Sequence, residues 1–192
     1  MTRLAALLLA FAVAACAPTP PTDVSVRTYK VSGNSLNALE RSLAAHGPAV
    51  PGLKGRAFAA VETAFLHSFE AVPSAGACRY SRNGRVGLRS EVILPEWRQR
   101  DTAPAALRER WDVISQYAVI HEAGHIKISQ KYARLLEQAY KQASAPSCEA
   151  LNSTMVQEAN RILERHSFEQ RRFDETDGPR FERYLRSLGY SV

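Results

Sequence analysis

Apolar and polar residues alternate from Val24 to Val31, with β-branched side chains at several positions, and predict a first strand ending at Ser32-Gly33. Ser35 then stands where it can cap a helix whose apolar positions Leu36, Leu39 and Leu43 recur at helical spacing. That helix runs to His46 and stops at Gly47-Pro48; His46 reads as a surface residue compatible with the helix dipole. From Ala57 to Val72 the period returns to two. Val61, Thr63, Phe65, His67 and Phe69 share one parity, so a strand is expected from about Val61 onward. Segments 77–80 and 86–93 flank Asn83-Gly84, a turn dipeptide that predicts a hairpin, and Leu94-Pro95-Glu96-Trp97 closes the strand region.

Past Pro104 the period becomes 3.6 and holds to about Ala143, with Asp101 or Thr102 as the expected cap and Gly124 the one interior glycine. A further helix is predicted from Ser147 to about His166, a loop over 171–179, and a short amphipathic helix carrying Phe181, Tyr184, Leu185 and Leu188. The fold class that follows is α+β. A small antiparallel or mixed sheet with one helix comes first, then a long helix packed with a second long helix, all in one domain over residues 24–192.

The chemistry sits in the first long helix, at His121-Glu122-Ala123-Gly124-His125. Two histidines four apart on a helix stack one turn above the other, so both imidazoles reach one metal ion. The glutamate between them points away by about a quarter-turn, where it can take a proton from a metal-bound water. This is the H-E-x-x-H signature of zincins. Glu122 is the only charged residue between Val113 and Ile126, and the stripe Trp111, Ile114, Ala118, His121, His125, Ile128, Tyr132, Leu135 puts both histidines in the middle of the core-facing side. The bland alternative is a pair of buried core histidines with Glu122 solvated. Two adjacent buried imidazoles need partners, and one metal serves both.

Composition changes little: 192 residues, 45% apolar and 23% charged, describe one globular domain with an ordinary core. The formal charge of +6 is spread along the chain, and the arginines of 79–85 read as a charged hairpin, not a nucleic-acid stripe. No nucleic-acid partner is expected.

Residues 1–15 read as a signal peptide, with Arg3 at its start, an apolar run from Leu4 to Val13, and small residues before Cys16. The run is too short for a permanent membrane span. Val13-Ala14-Ala15-Cys16 resembles a bacterial lipobox, so Cys16 is the expected lipidation site and 16–23 a Pro-rich tether; an ordinary secretory peptide is the alternative. The expected location is the cell envelope, lipid-anchored on the periplasmic side, with the outer membrane favoured, otherwise secreted or periplasmic. If Cys16 carries lipid, Cys78 and Cys148 remain, and an exported protein holds them either as a bridge or as two buried thiols.

Catalytic zinc takes three protein ligands and leaves one position open. The metzincin extension needs glycine and histidine where this chain has Ile128 and Lys131, and a thermolysin-like glutamate about twenty residues on finds 144–146 instead. The remaining candidates for third ligand are Asp174, Asp177, Glu175, Glu158 and His166, with the acidic loop expected to fold back onto the histidines. His67, on an apolar parity, reads as a packed or edge histidine before it reads as a ligand.

Segments 29–33, Gly47-Pro48, Cys78, Leu94-Pro95-Glu96-Trp97, Trp111, the H-E-x-x-H motif and 147–151, in this order and spacing, resemble a bacterial family of predicted secreted zinc-dependent proteases whose domain carries an unknown-function label. The resemblance covers most of the mature chain. It implies a Zn2+-dependent peptidase with His121 and His125 as ligands and Glu122 as general base, and a Cys78–Cys148 disulfide. Near the end the family pattern Tyr-Asp-x-x-Thr-x-His-Gly becomes Phe173-Asp174-Glu175-Thr176-Asp177-Gly178, one residue shorter and without the histidine. Asp174 carries over by position, and Asp177 stands near the missing histidine. The expected activity is zinc-dependent hydrolysis of peptide bonds in a peptide or protein substrate. Two alternatives stand beside it: an amidase acting on cell-wall peptides, and a non-catalytic envelope lipoprotein with structural or no zinc.

Overall fold

A computed structural model describes residues 20–189. The signal segment, Cys16 and the first tether residues lie outside the described residues. In chain order the elements are β1 (Thr22–Val31), α1 (Leu36–His46), β2 (Ala60–His67), β3 (Ala71–Ser74), β4 (Ala77–Tyr80), β5 (Val86–Trp97), α2 (Ala105–Gln142), β6 (Ser144–Ala145) and α3 (Cys148–Ser187). The architecture is α+β, with two small sheets ordered β1-β5-β2 and β3-β4-β6. The first is mixed: β1 lies parallel to β5 and β2 antiparallel to it. Strand β1 begins two residues ahead of the expected Val24, because Thr22 already pairs with Leu88 and the Pro21 carbonyl accepts from Leu88 N–H at 2.8 Å.

Strand β5 is the spine. Val86, Leu88, Ser90 and Val92 alternate along it and are buried. Helix α2 crosses this strand in the opposite sense, since Val86 and Leu88 cluster with Tyr132, Ala133 and Leu136, while Trp97 at the other end meets Trp111. Helix α3 reaches the first cluster through Ile162. Burying each such aliphatic side chain stabilises by roughly 1.5–3 kcal/mol. Cys78 in β4 is bonded to Cys148 in the first turn of α3, 70 residues away, and Ser147 caps that turn, its Oγ accepting from Ala150 N–H at 3.2 Å.

Four sequence expectations are corrected. The hairpin at Asn83-Gly84 does not form, for β4 and β5 belong to different sheets. Ser81 N–H instead bonds the Glu70 carbonyl and Ser68 N–H the Arg85 carbonyl, while a methyl group at Gly84 would overlap the Phe69 ring; that glycine serves close packing. The single strand expected through Val72 divides at Ser68–Glu70, leaving β2 and β3 in different sheets. Neither Asp101 nor Thr102 caps α2, which starts after Pro104 with no side-chain cap; Ala103 precedes the proline and is extended, as such residues are.

The fourth correction matters most. The predicted loop over 171–179 and its flanking short helix are one continuous helix with the segment before them, with Pro179 inside it. An interior proline costs about 3 kcal/mol. Packing against α2 overrides it: Phe181 stacks on Tyr117 with centroids 3.6 Å apart, and Phe173 packs against the motif histidines.

Candidate metal centre

Gly124 and Phe173 set how the two long helices meet. Glycine costs about 1 kcal/mol against alanine inside a helix, but a methyl group here would overlap Cζ of Phe173. The absent side chain leaves a notch that the ring fills. Phe173 stacks over His121 and meets His125 edge-on, its centroid 5.0 Å from each. Seating that ring brings Gln170, Asp174 and Asp177, spaced at four and three residues on one helix face, opposite the motif.

The two imidazole Nε2 atoms stand 3.0 Å apart, and Asp174 Oδ1 lies 3.2 Å from that of His121 and 2.9 Å from that of His125. The outer edge of each ring is occupied. Nδ1–H of His121 donates to Asp177 Oδ2 at 2.8 Å, and the same oxygen accepts from Tyr117 Oη. Nδ1–H of His125 donates to Gln170 Oε1 at 2.6 Å. The Gln170 amide is itself oriented, its Nε2 donating among the His125 carbonyl, Ser129 Oγ and His166 Nε2 at 2.8–3.1 Å. With both Nδ1 atoms committed as donors, the neutral imidazoles turn bare Nε2 lone pairs toward one point, where a carboxylate oxygen also arrives. Such atoms repel unless a proton or a cation lies between them.

The electrostatics agree. Burial works against a charge on His121, but hydrogen bonds to Asp174 and Asp177 outweigh it and push the pKa up to about 9. His125 is raised as well: burial opposes the charge, and Asp174 and Gln170 prevail. Burial also disfavours the Asp174 carboxylate, yet the two histidines hold it well below the usual range. Among the described residues, His121, His125 and Asp174 are thus the group that can hold a cation, their donor atoms all within 4.8 Å of one another.

Glu122 departs from the expected picture. The stripe placed the histidines at the centre of the buried face, whereas the buried residues of α2 are Trp111, Ala118, Glu122, Ser129, Tyr132, Ala133 and Leu136. The histidines are half-buried toward α3, and the glutamate is the one facing the core, 5% exposed. Burial raises its pKa; the adjacent His125 and His121 lower it by less, and Asp174 adds to the rise. No donor among the described residues is hydrogen-bonded to it.

The other candidates fall elsewhere. Asp177 backs His121 from behind, its own carboxylate kept low because bonds from His121 and Tyr117 outweigh burial. His166 lies deeper in the seam, bonded to Ser129 Oγ at 3.0 Å, with burial lowering its pKa. Glu158 pairs with Arg161, Glu175 is exposed, and His67 stacks on Tyr140. The sequence reading missed Gln170, Tyr117, Ser129 and Phe173. A signal existed for two of them: had 171–179 been read as helix, Gln170 and Phe173 would have fallen on the face that carries Asp174 and Asp177.

Over residues 26–181 the chain matches a family described as "Bacterial protein of unknown function (DUF922)". No curated protein and no solved structure matches it.

Proposed function

The chain belongs to the DUF922 family of bacterial proteins, and from its site we propose that it is a zinc-dependent peptidase of the cell envelope with a zincin-like centre between its two long helices. One observation carries the reading: two imidazole Nε2 atoms and one carboxylate oxygen converge, while the Nδ1 edges are taken by Asp177 and Gln170. Two nitrogens and one oxygen suit zinc, and a three-member group leaves a position open, which favours a catalytic over a closed structural site. Zinc bound there supplies a Lewis acid that polarises a peptide carbonyl and acidifies water. Glu122, its pKa raised from the ordinary value by burial, accepts the proton that water gives up and delivers it to the departing amine. Asp177 with Tyr117 holds the proton on Nδ1 of His121, and Gln170 does the same for His125, so both rings keep the ligating tautomer.

The test is metal content together with hydrolysis. The purified protein is expected to carry near-stoichiometric zinc, lost in His121→Ala and Asp174→Ala. Glu122→Gln should retain zinc and lose at least about a hundredfold in turnover, the usual scale of general-base catalysis. A folded protein without zinc, or undiminished turnover in Glu122→Gln, ends this reading. Cleavage of purified peptidoglycan with casein untouched would redirect it to a cell-wall amidase.

A further inference from the structure

One to two turns beyond the motif, the seam between α2 and α3 opens into a groove of about 600 Å³. Phe173 belongs to both places: its ring packs on His121 and His125, and it forms one wall of the groove. Ile128 and Phe168 extend that apolar lining, with Phe168 55% exposed. Lys131, Arg165 and Arg172 also line it, against one carboxylate, Glu169. That carboxylate is already engaged, accepting from Lys131 Nζ at 2.6 Å and Tyr132 Oη at 2.9 Å. Arg165 and Arg172 therefore face the groove with no carboxylate among the described residues at ion-pair distance. The guanidinium of Arg172 lies 5.9 Å from the Phe168 ring centroid.

We propose that this groove is a recognition subsite for acidic peptide, binding glutamate or aspartate side chains of a substrate whose scissile bond lies at the metal centre. The inference rests on the peptidase reading above. Two features choose peptide as the occupant. The lining is apolar and aromatic between the cations, which suits an extended chain with carbon side chains as well as charges. The two arginines stand seven residues apart on one helix, about 10 Å along its axis. An extended peptide advances about 3.3 Å per residue, so carboxylates three residues apart match the spacing of the two arginine positions along the helix.

The experiment measures binding separately from turnover. A labelled eight-residue peptide with glutamates at positions 3 and 6, and its twin with glutamines there, are titrated into zinc-loaded Glu122→Gln protein and followed by anisotropy. The glutamate peptide should bind about tenfold more tightly, the scale of two partly exposed charge-assisted contacts. That preference should fall in 0.5 M salt and disappear in Arg165→Gln/Arg172→Gln, whose exposed positions leave the fold intact by circular dichroism. Equal affinity for the two peptides, or a preference that survives the double substitution, overturns the subsite. Wild-type protein is then given both peptides. Arginine-dependent binding without cleavage keeps the subsite and removes the peptidase reading; cleavage of both with equal KM keeps the peptidase and removes the subsite.

Discussion

From Cys148 to Ile162, α3 is fastened by a disulfide and by Leu151, Met155 and Ile162, each nearly inaccessible to solvent. From Arg165 to Ser187 the same helix buries only Leu185, carries an interior proline, and meets α2 through His166, Glu169, Gln170, Phe173, Asp174, Asp177 and Phe181. The first half is held as any amphipathic helix is held, by apolar burial with a covalent tie. The second half is held by polar and aromatic contacts, most of them at or beside the candidate metal centre. Its helicity and the site geometry are therefore coupled: loosening either should loosen the other, and an ion bound there would stabilise both.

The bridge should give the largest effect. Closing a 70-residue loop stabilises by about 4 kcal/mol on the chain-entropy model. Cys78→Ala/Cys148→Ala is expected to lose about that much in urea unfolding, yet to bind zinc with unchanged stoichiometry under native conditions. A folded double variant that cannot bind zinc would show that the two halves are not held independently.

Gly124→Ala attacks the other half. The added methyl meets Phe173, whose ring is wedged against both histidines. Overpacking of this kind costs about 2 kcal/mol, more than the roughly 1 kcal/mol of helix propensity gained. Hydrogen-exchange protection should fall over 165–187 and hold over 148–162, zinc affinity should drop, and Phe173→Leu in the same chain should restore part of both. A uniform loss of protection along α3 would contradict the division.

The same contrast explains what the sequence disclosed. The ends of α2, the start of α3 at Ser147 and the strand around Val24–Val31 rest on local periodicity and turn chemistry, and they were legible within two residues. The histidine pair was legible because its spacing is itself the signal, and Asp174 entered by position in the resemblance. The C-terminal half of α3 was not. Gly178-Pro179 and the run of charges before it carry the local marks of a loop, and what overrides them is contact with α2, sixty residues earlier in the chain. Gln170 was hidden for the same reason, since its role appears only once 171–179 is helical. The false hairpin has a similar origin: Asn83-Gly84 offers turn chemistry, but Gly84 lies under Phe69, a partner that no nearby spacing announces.

The smallest effect tests the first half through pH. Glu137 on α2 accepts from Val86 N–H at 3.0 Å, Arg85 Nη1 at 3.2 Å and Lys141 Nζ at 2.5 Å, tying the helix to the start of β5 beside the cluster that holds Ile162. Burial works against its charge, but Lys141, the Val86 amide and Arg85 together hold the carboxyl below its ordinary value of 4.5. A carboxylate lowered in the folded state adds stability that is fully present above that ordinary value and is lost as pH falls through the folded one. Glu137→Gln should therefore cost about 1 kcal/mol at pH 7, the net scale of one ordinary hydrogen bond, since its partners Arg85 and Lys141 are partly exposed. The gap to wild type should close in acid, and zinc affinity at pH 7 should not move. A gap that stays constant down to pH 3 would mean that shape, not charge, anchors β5. A change in zinc affinity would show that this anchor reaches the second half of α3 after all.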